Sequence, residues 1–185
     1  MAVVLVTGMS GAGKSAVLGE LARRGHPVMD TDDGDYIELV TLPDQAEPEP
    51  MWRQDRMNAL LDAHRDAVLF VAGTVANQGT FYPRFDAVVL LSAPLAVLLS
   101  RLAHRTSNDF GKSESDRQRV IADLTTVEPL LRVGATAEID TRRPLGDVVD
   151  AVVKLAAALP PSAPDWPGGR IPGAVRQGRR EALNR

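Results

Sequence analysis

Apolar residues in this chain gather in short continuous runs at 2–6, 27–29, 67–72, 87–91 and, more weakly, 135–139. Runs that are apolar on both alternating faces predict strands buried on both sides of a parallel sheet. Between them the spacing turns helical. Residues 14–24 place Val17, Leu18 and Leu21 on one face and end at Gly25, and residues 51–65 carry the stripe Met57, Leu60, Leu61. A helix opening at Pro94 buries Leu95, Leu98, Leu99 and Leu102. Residues 114–132 follow the spacing Val120, Leu124, Val127, Leu131, with Pro129 predicting a kink or an early end. Pro144 opens a last helix whose stripe is Val148, Val152, Leu155, Leu159. Strands alternating with helices predict an α/β fold in three layers, a five-stranded parallel sheet with helices on both faces and right-handed crossovers.

The connections carry their own signals. Residues 42–50 contain three prolines, two Glu and one Asp, which predicts an irregular connection able to cover a substrate. Residues 76–85 are a polar and aromatic stretch. Residues 106–112 form a polar stretch with a glycine hinge at Gly111, flanked by Arg105 and Lys112, and have the makings of a lid. From Pro160 the chain holds five Pro and four Gly with little apolar content. The expected organisation is therefore one domain over 1–159 and a flexible Pro/Gly/Arg-rich tail over 160–185.

Composition narrows the function classes. At 185 residues and 44% hydrophobic content the chain can bury one core, and with no cysteine it has neither a disulfide nor a thiolate metal site. That absence, the lack of an apolar run near 18 residues and the lack of a leader-like N-terminus give the expectation of a cytoplasmic protein without membrane attachment. The net charge is −3, and the tail contributes five Arg against Asp165 and Glu181, which leaves the body at −6. An acidic body argues against nucleic acid as the partner.

One motif carries the chemistry. Gly8-Met9-Ser10-Gly11-Ala12-Gly13-Lys14-Ser15 matches G-x-x-x-x-G-K-[ST] between the first strand and the first helix. Such a loop wraps phosphates in backbone N–H groups, here from Ser10 through Ala16, at a helix N-terminus; Lys14 reaches the β- and γ-phosphates and Ser15 coordinates magnesium. The expected cofactors are ATP and Mg2+. The second strand delivers Asp30-Thr31-Asp32-Asp33-Gly34-Asp35 at its C-terminal end, where open α/β sheets bind ligands. Alternation puts Asp30 and Asp32 on one side and Thr31 on the other; a magnesium ion would offset such a cluster, and a solvated acidic turn is the alternative. Arg53 and Arg56 share a helical face and either bind an anionic acceptor or lie solvated. Gly73 permits a close approach to the backbone. Thr74 follows it, and Asn77, Gln78, Tyr82 and Arg84 are unranked acceptor contacts. Arg101 and Arg105 stand one turn apart.

Together the phosphate loop, Asp30-Thr31-Asp32, Gly73, the arginine pair, the lid and the Ile139-Asp140…Pro144 exit resemble the shikimate kinase and nucleoside-monophosphate kinase group of P-loop kinases, over residues 2–159. The resemblance implies the P-loop NTPase sandwich with strand order 2-3-1-4-5 and ATP along the C-terminal edge of the sheet. It implies Asp30 on magnesium through water and Asp32 orienting or deprotonating the acceptor. Arg101 or Arg105 would flank adenine and phosphates, with Arg105 and Lys112 over the triphosphate, and Arg142 and Pro144 would run past adenine. Gly73-Thr74-Val75 departs from the triple glycine of shikimate kinases, so shikimate is not implied as the acceptor. The reading is an ATP-dependent phosphotransferase acting on a hydroxyl or phosphate of a small metabolite. The alternatives are a nucleoside-monophosphate kinase and an ATP-binding switch with little or no phosphotransfer.

Overall fold

The computed structural model describes residues 2–43, 47–64, 67–106 and 110–159. The expected tail lies outside the described residues, as does the centre of the expected lid, 107–109. The main sheet is built from β1 (Val3–Thr7), β2 (Val28–Asp30), β5 (Leu69–Ala72), β6 (Ala87–Ser92) and β7 (Ala137–Asp140). These five strands are all parallel, in the order β2-β5-β1-β6-β7. Counted among themselves they run 2-3-1-4-5, the order expected. β1 lies at the centre, with Val6 opposite Ala72 on one side and Val89 on the other, so the loop leaving β1 emerges in the middle of the C-terminal edge.

Alternation along β1 sorts the core into two layers. Val4 and Val6 pack with Val17, Leu18 and Leu21 of α1 (Lys14–Arg23) and with Val148, Val149 and Val152 of α6 (Leu145–Ala157). Val3 and Leu5 face the opposite layer with Met57 and Leu61 of α2 (Gln54–Ala63), Trp52, Phe81 and Phe85. Both layers exclude water, which is why the strands read as unbroken apolar runs.

The structure corrects the expected elements in three places. The helix expected over 51–65 starts only at Gln54. Before it, β4 (Glu49–Trp52) pairs antiparallel with β3 (Ile37–Val40), so the stretch expected to be irregular ends in a strand. Proline is tolerated in this two-stranded ribbon because Pro50 still offers its carbonyl, which accepts from the Ala76 N–H at 3.0 Å. Residues 78–84 form a 3-10 helix that buries Gln78, Phe81 and Tyr82, so Gln78 and Tyr82 sit in the core. The helix expected over 114–132 is two, α4 (Glu114–Thr126) and α5 (Glu128–Gly134); Pro129 sits in the first turn of α5, where a missing N–H costs nothing. Between β6 and α4 lies α3 (Leu95–His104), as the stripe of leucines requires.

Candidate active site

The loop after β1 turns directly into α1. Its N-cap, Gly13, has φ 104°, in the left-handed region that favours glycine; among the described residues no side chain caps the helix, and no acidic residue occupies its first turn. The helix therefore presents unpartnered N–H groups and a positive dipole end to the cleft. A Cβ on Gly8 would lie 2.3 Å from the Leu91 carbonyl, so only glycine lets the loop leave the sheet this close to β6. Lys14 folds back over the loop: its Nζ donates to the Gly8 carbonyl at 2.6 Å and, more weakly, to Met9 at 3.5 Å. Among the described residues no carboxylate forms an ion pair with it. Burial pushes its ammonium below the ordinary lysine range, opposed by the charge of Asp32 and then Asp30. Ser15 and Ala16 are exposed at the mouth of the cleft.

The acidic turn reaches the same place. Asp30 closes β2, and its Oδ1 accepts the Asp32 N–H at 3.1 Å, which folds the chain back after the strand. Desolvation raises the Asp32 carboxyl above its usual range; Lys14 opposes this, and Asp30 and Asp33 reinforce it. Lys14, Asp30 and Asp32 thus share one electrostatic environment. Asp35 belongs elsewhere, paired with Arg53 at 2.6 Å and Arg56 at 3.1 Å. The two arginines do share a face, and the anion they meet there is the chain's own.

The close approach expected at Gly73 is made by the protein itself. A Cβ there would lie 2.2 Å from Thr31 Oγ1 and 2.9 Å from Trp52 Cζ2. Trp52 Nε1 donates to Thr31 Oγ1 at 2.9 Å, and Thr31 donates to the Ala72 carbonyl at 2.8 Å. Asn77 clamps the Trp52 backbone, accepting its N–H at 2.8 Å and donating to its carbonyl at 2.9 Å. Thr74 turns towards the loop and donates to the Gly8 carbonyl at 2.9 Å.

On the other side of α1 opens a cleft of about 220 Å³. Its walls are mostly apolar, from Ala16, Val17, Leu145 and Val148, with Arg101 and Arg143 at the rim. Arg101 ties the loop to β7: Nη1 donates to Gly11 O at 3.2 Å and to Thr141 Oγ1 at 2.8 Å, and Nη2 donates to Thr141 O at 2.6 Å. Arg142 does not line the cleft and is held on Asp140 at 2.8 Å, and Pro144 is the N-cap of α6. Arg105 is half-buried, donates to the Phe110 carbonyl at 3.2 Å, and lies close enough to Lys14 to oppose its charge; Lys112 is exposed.

Sequence reasoning missed Trp52 and Thr7 and gave Thr31 no task; all three are buried, and so are Gln78 and Tyr82, which were expected as acceptor contacts. Arg143 and Thr141, on the segment expected to run past adenine, line the cleft. Glu49-Pro50-Met51-Trp52 has no alternation of polar and apolar residues and contains a proline, so no local signal marks this strand or its tryptophan.

The AAA_18 family, described as an AAA domain, matches residues 4–122. No curated relative matches the chain. Among solved structures the chain is similar to shikimate kinase from Acinetobacter baumannii in complex with shikimate. The two are 21% identical with a TM-score of 0.58, covering 84% of this chain and 92% of that one. Shikimate kinase from Bacteroides thetaiotaomicron is 16% identical with a TM-score of 0.57 and coverage of 83% and 97%. A gluconokinase from Sinorhizobium meliloti 1021 is 20% identical with a TM-score of 0.54 and coverage of 84% and 94%. At these identities the likeness is one of fold: a P-loop kinase fold in which helices cover both faces of the sheet.

Proposed function

Starting from a chain that belongs to the AAA_18 family of AAA domains and has the fold of shikimate-kinase-like P-loop kinases, we propose an ATP-dependent phosphotransferase that acts on a hydroxyl or phosphate of a small metabolite. The observation that carries the reading is the convergence of Lys14, Asp30 and Asp32 at the uncapped N-terminus of α1. A cation beside free N–H groups suits a polyphosphate. Two carboxylates facing that cation suit a metal-bound nucleotide and a nucleophile.

The residues present fit magnesium and ATP. Ser15 and Asp30 would hold the metal, the loop from Gly8 through Ala16 the phosphates, and the cleft between Ala16, Arg101, Leu145 and Val148 the base. Among the described residues no cluster of His, Asp and Glu is arranged to hold a cation alone, so the metal would depend on phosphate oxygens for the rest of its shell. Bound MgATP supplies an activated phosphoryl group and charge neutralisation. Lys14, held on Gly8, meets negative charge developing on the transferred group. Asp32 orients the acceptor and takes its proton, and its raised carboxyl range suits a base more than an ordinary surface aspartate would. Arg105 adds positive charge on the same side. Asn77 acts through Trp52, and Gly73 through the packing above it. Arg53 and Arg56 can take an anionic acceptor only in exchange for Asp35.

The acidic body and the small cleft support a small molecule rather than nucleic acid. Among the described residues no helix is long and apolar enough to cross a membrane. Residence in the cytoplasm belongs to the same reading.

The test is phosphoryl transfer from MgATP against a panel of sugars, sugar acids, cyclic polyols and nucleoside monophosphates. Lys14→Ala is expected to lower transfer by several orders of magnitude. Asp32→Asn is expected to lower kcat by about 10²-fold or more while MgATP affinity stays near wild type. Near-normal turnover by Lys14→Ala would sink the phosphotransferase reading.

A further inference from the structure

The carbonyl that holds Lys14 has a second partner. Gly8 O accepts from Lys14 Nζ at 2.6 Å and from the Thr74 hydroxyl at 2.9 Å, and Thr74 Oγ1 also lies 3.4 Å from the Gly8 N–H. One hydroxyl therefore grips Gly8 at both its N–H and its carbonyl. Gly8 has no side chain of its own to lock it, and it stands where the ladder pairing of β1 with β6 stops, at Thr7 opposite Leu90.

Thr74 is itself fixed from behind. Its Oγ1 lies 3.1 Å from the fully buried Thr7 hydroxyl, which also reaches Gln78 Oε1 at 3.3 Å. Gln78 accepts the Val75 N–H at 3.3 Å and donates to the Tyr82 hydroxyl at 2.7 Å. Thr74 spends its single proton on Gly8 O, and Thr7 has one proton to offer either Thr74 Oγ1 or Gln78 Oε1, so towards Thr7 the Thr74 hydroxyl can only accept. Donation to Gly8 O faces the Thr74 hydroxyl towards the loop, and β-branching stiffens its χ1.

The anchor has a competitor. Asp32 and Asp30 both attract Lys14. An ammonium released from Gly8 would be drawn to those carboxylates instead of staying on the loop.

We propose that Thr74 is a positioning residue for the phosphate-binding lysine: its hydroxyl fixes the Gly8 carbonyl, and that carbonyl holds the Lys14 ammonium at the helix N-terminus against the pull of Asp30 and Asp32. The inference rests on the nucleotide-binding reading above and assigns Thr74 a task at the loop rather than at the acceptor.

The experiment needs no acceptor. Affinity for the magnesium complex of adenosine 5′-(β,γ-imido)triphosphate is measured by calorimetry on the full chain. Thr74→Val is expected to weaken binding about tenfold, the scale of a lost hydrogen bond in a charged network. Thr74→Ser is expected to restore affinity to within about threefold, since it returns the hydroxyl. In a Lys14→Ala background, with protein concentration raised to keep that weaker complex measurable, Thr74→Val is expected to change affinity by less than about twofold. A purely structural threonine would instead give the same penalty whether or not the lysine is present. Thr74→Ala replaces the valine variant if the unfolding midpoint shows that the latter does not fold. Wild-type affinity in the Thr74 variants, or an undiminished penalty without Lys14, would overturn the inference while leaving nucleotide binding intact. Failure of the wild-type chain to bind the analogue would overturn the nucleotide reading and this inference with it.

Discussion

Adding one methyl group at Gly73 tests how the wall between the two layers of the site is built. In Gly73→Ala the new Cβ would lie 2.2 Å from Thr31 Oγ1, 2.9 Å from Trp52 Cζ2 and 3.3 Å from Trp52 Cε2. Neither neighbour can yield cheaply. Thr31 is fully buried and holds two hydrogen bonds, and Trp52 is wedged edge-on against Phe81 with ring centroids 5.5 Å apart. Relieving the clash means moving Thr31 by about 1 Å, which breaks the Trp52–Thr31 bond and strains the Thr31–Ala72 bond. Overpacking costs about 1–3 kcal/mol, and losing a buried hydrogen bond adds about 1–2 kcal/mol. The expected destabilisation is about 2–5 kcal/mol, or about 5–15 °C in Tm for a domain of this size. Thermal and urea unfolding followed by circular dichroism measure it, and intrinsic fluorescence in a Trp166→Phe background reports the environment of Trp52. Thr31→Ala removes the first clashing atom, so the cost of Gly73→Ala is expected to shrink in that background. A Gly73→Ala protein that unfolds within a degree or two of wild type would refute the packing of Trp52 over this strand end.

Two further outcomes follow from the site. Burial raises the Asp32 carboxyl in the folded chain above its unfolded value of about 3.9, so its ionised form opposes folding at every pH above that value. Asp32→Asn is therefore expected to unfold at a slightly higher temperature than wild type at pH 7, with the gain fading as the pH falls towards 4 and absent below it; a gain that grows on acidification would show the sign to be wrong. Arg101→Ala removes the bonds to Gly11 and Thr141 and is expected to weaken binding of the ATP analogue by about tenfold or more, on the scale of charged hydrogen bonds. Arg101→Lys is expected to rescue little of this, because an ammonium cannot span both partners as the planar fork does; calorimetry checks both variants.

The amino-acid sequence by itself determined the class of the fold. Runs such as Val3-Val4-Leu5-Val6 and Leu69-Phe70-Val71-Ala72 have no polar face, so they must lie between two layers, and the helical spacing between them supplies those layers. The loop from Gly8 to Ser15 was legible for the same local reason: its glycines, its lysine and the helix that follows act within a few residues of one another. Tertiary structure decided what depends on residues distant in the chain. Whether Asp32 or Asp35 meets a cation in the cleft follows from where Lys14 and Arg53 arrive, and spacing along the acidic turn cannot say. Pro48 and Pro50 read locally as breakers, yet β4 forms because β3 pairs with it on one side and the Ala76 N–H donates to the Pro50 carbonyl on the other. Gly73 promised room for a close neighbour, and only the fold brought Trp52 into that room. Thr74 was legible as a polar residue at a strand end, but its partner, Gly8, lies 66 residues away. Hydrophobic period and turn chemistry are short-range properties, whereas a hydrogen bond or a buried contact between distant residues is fixed only when the sheet sets their register.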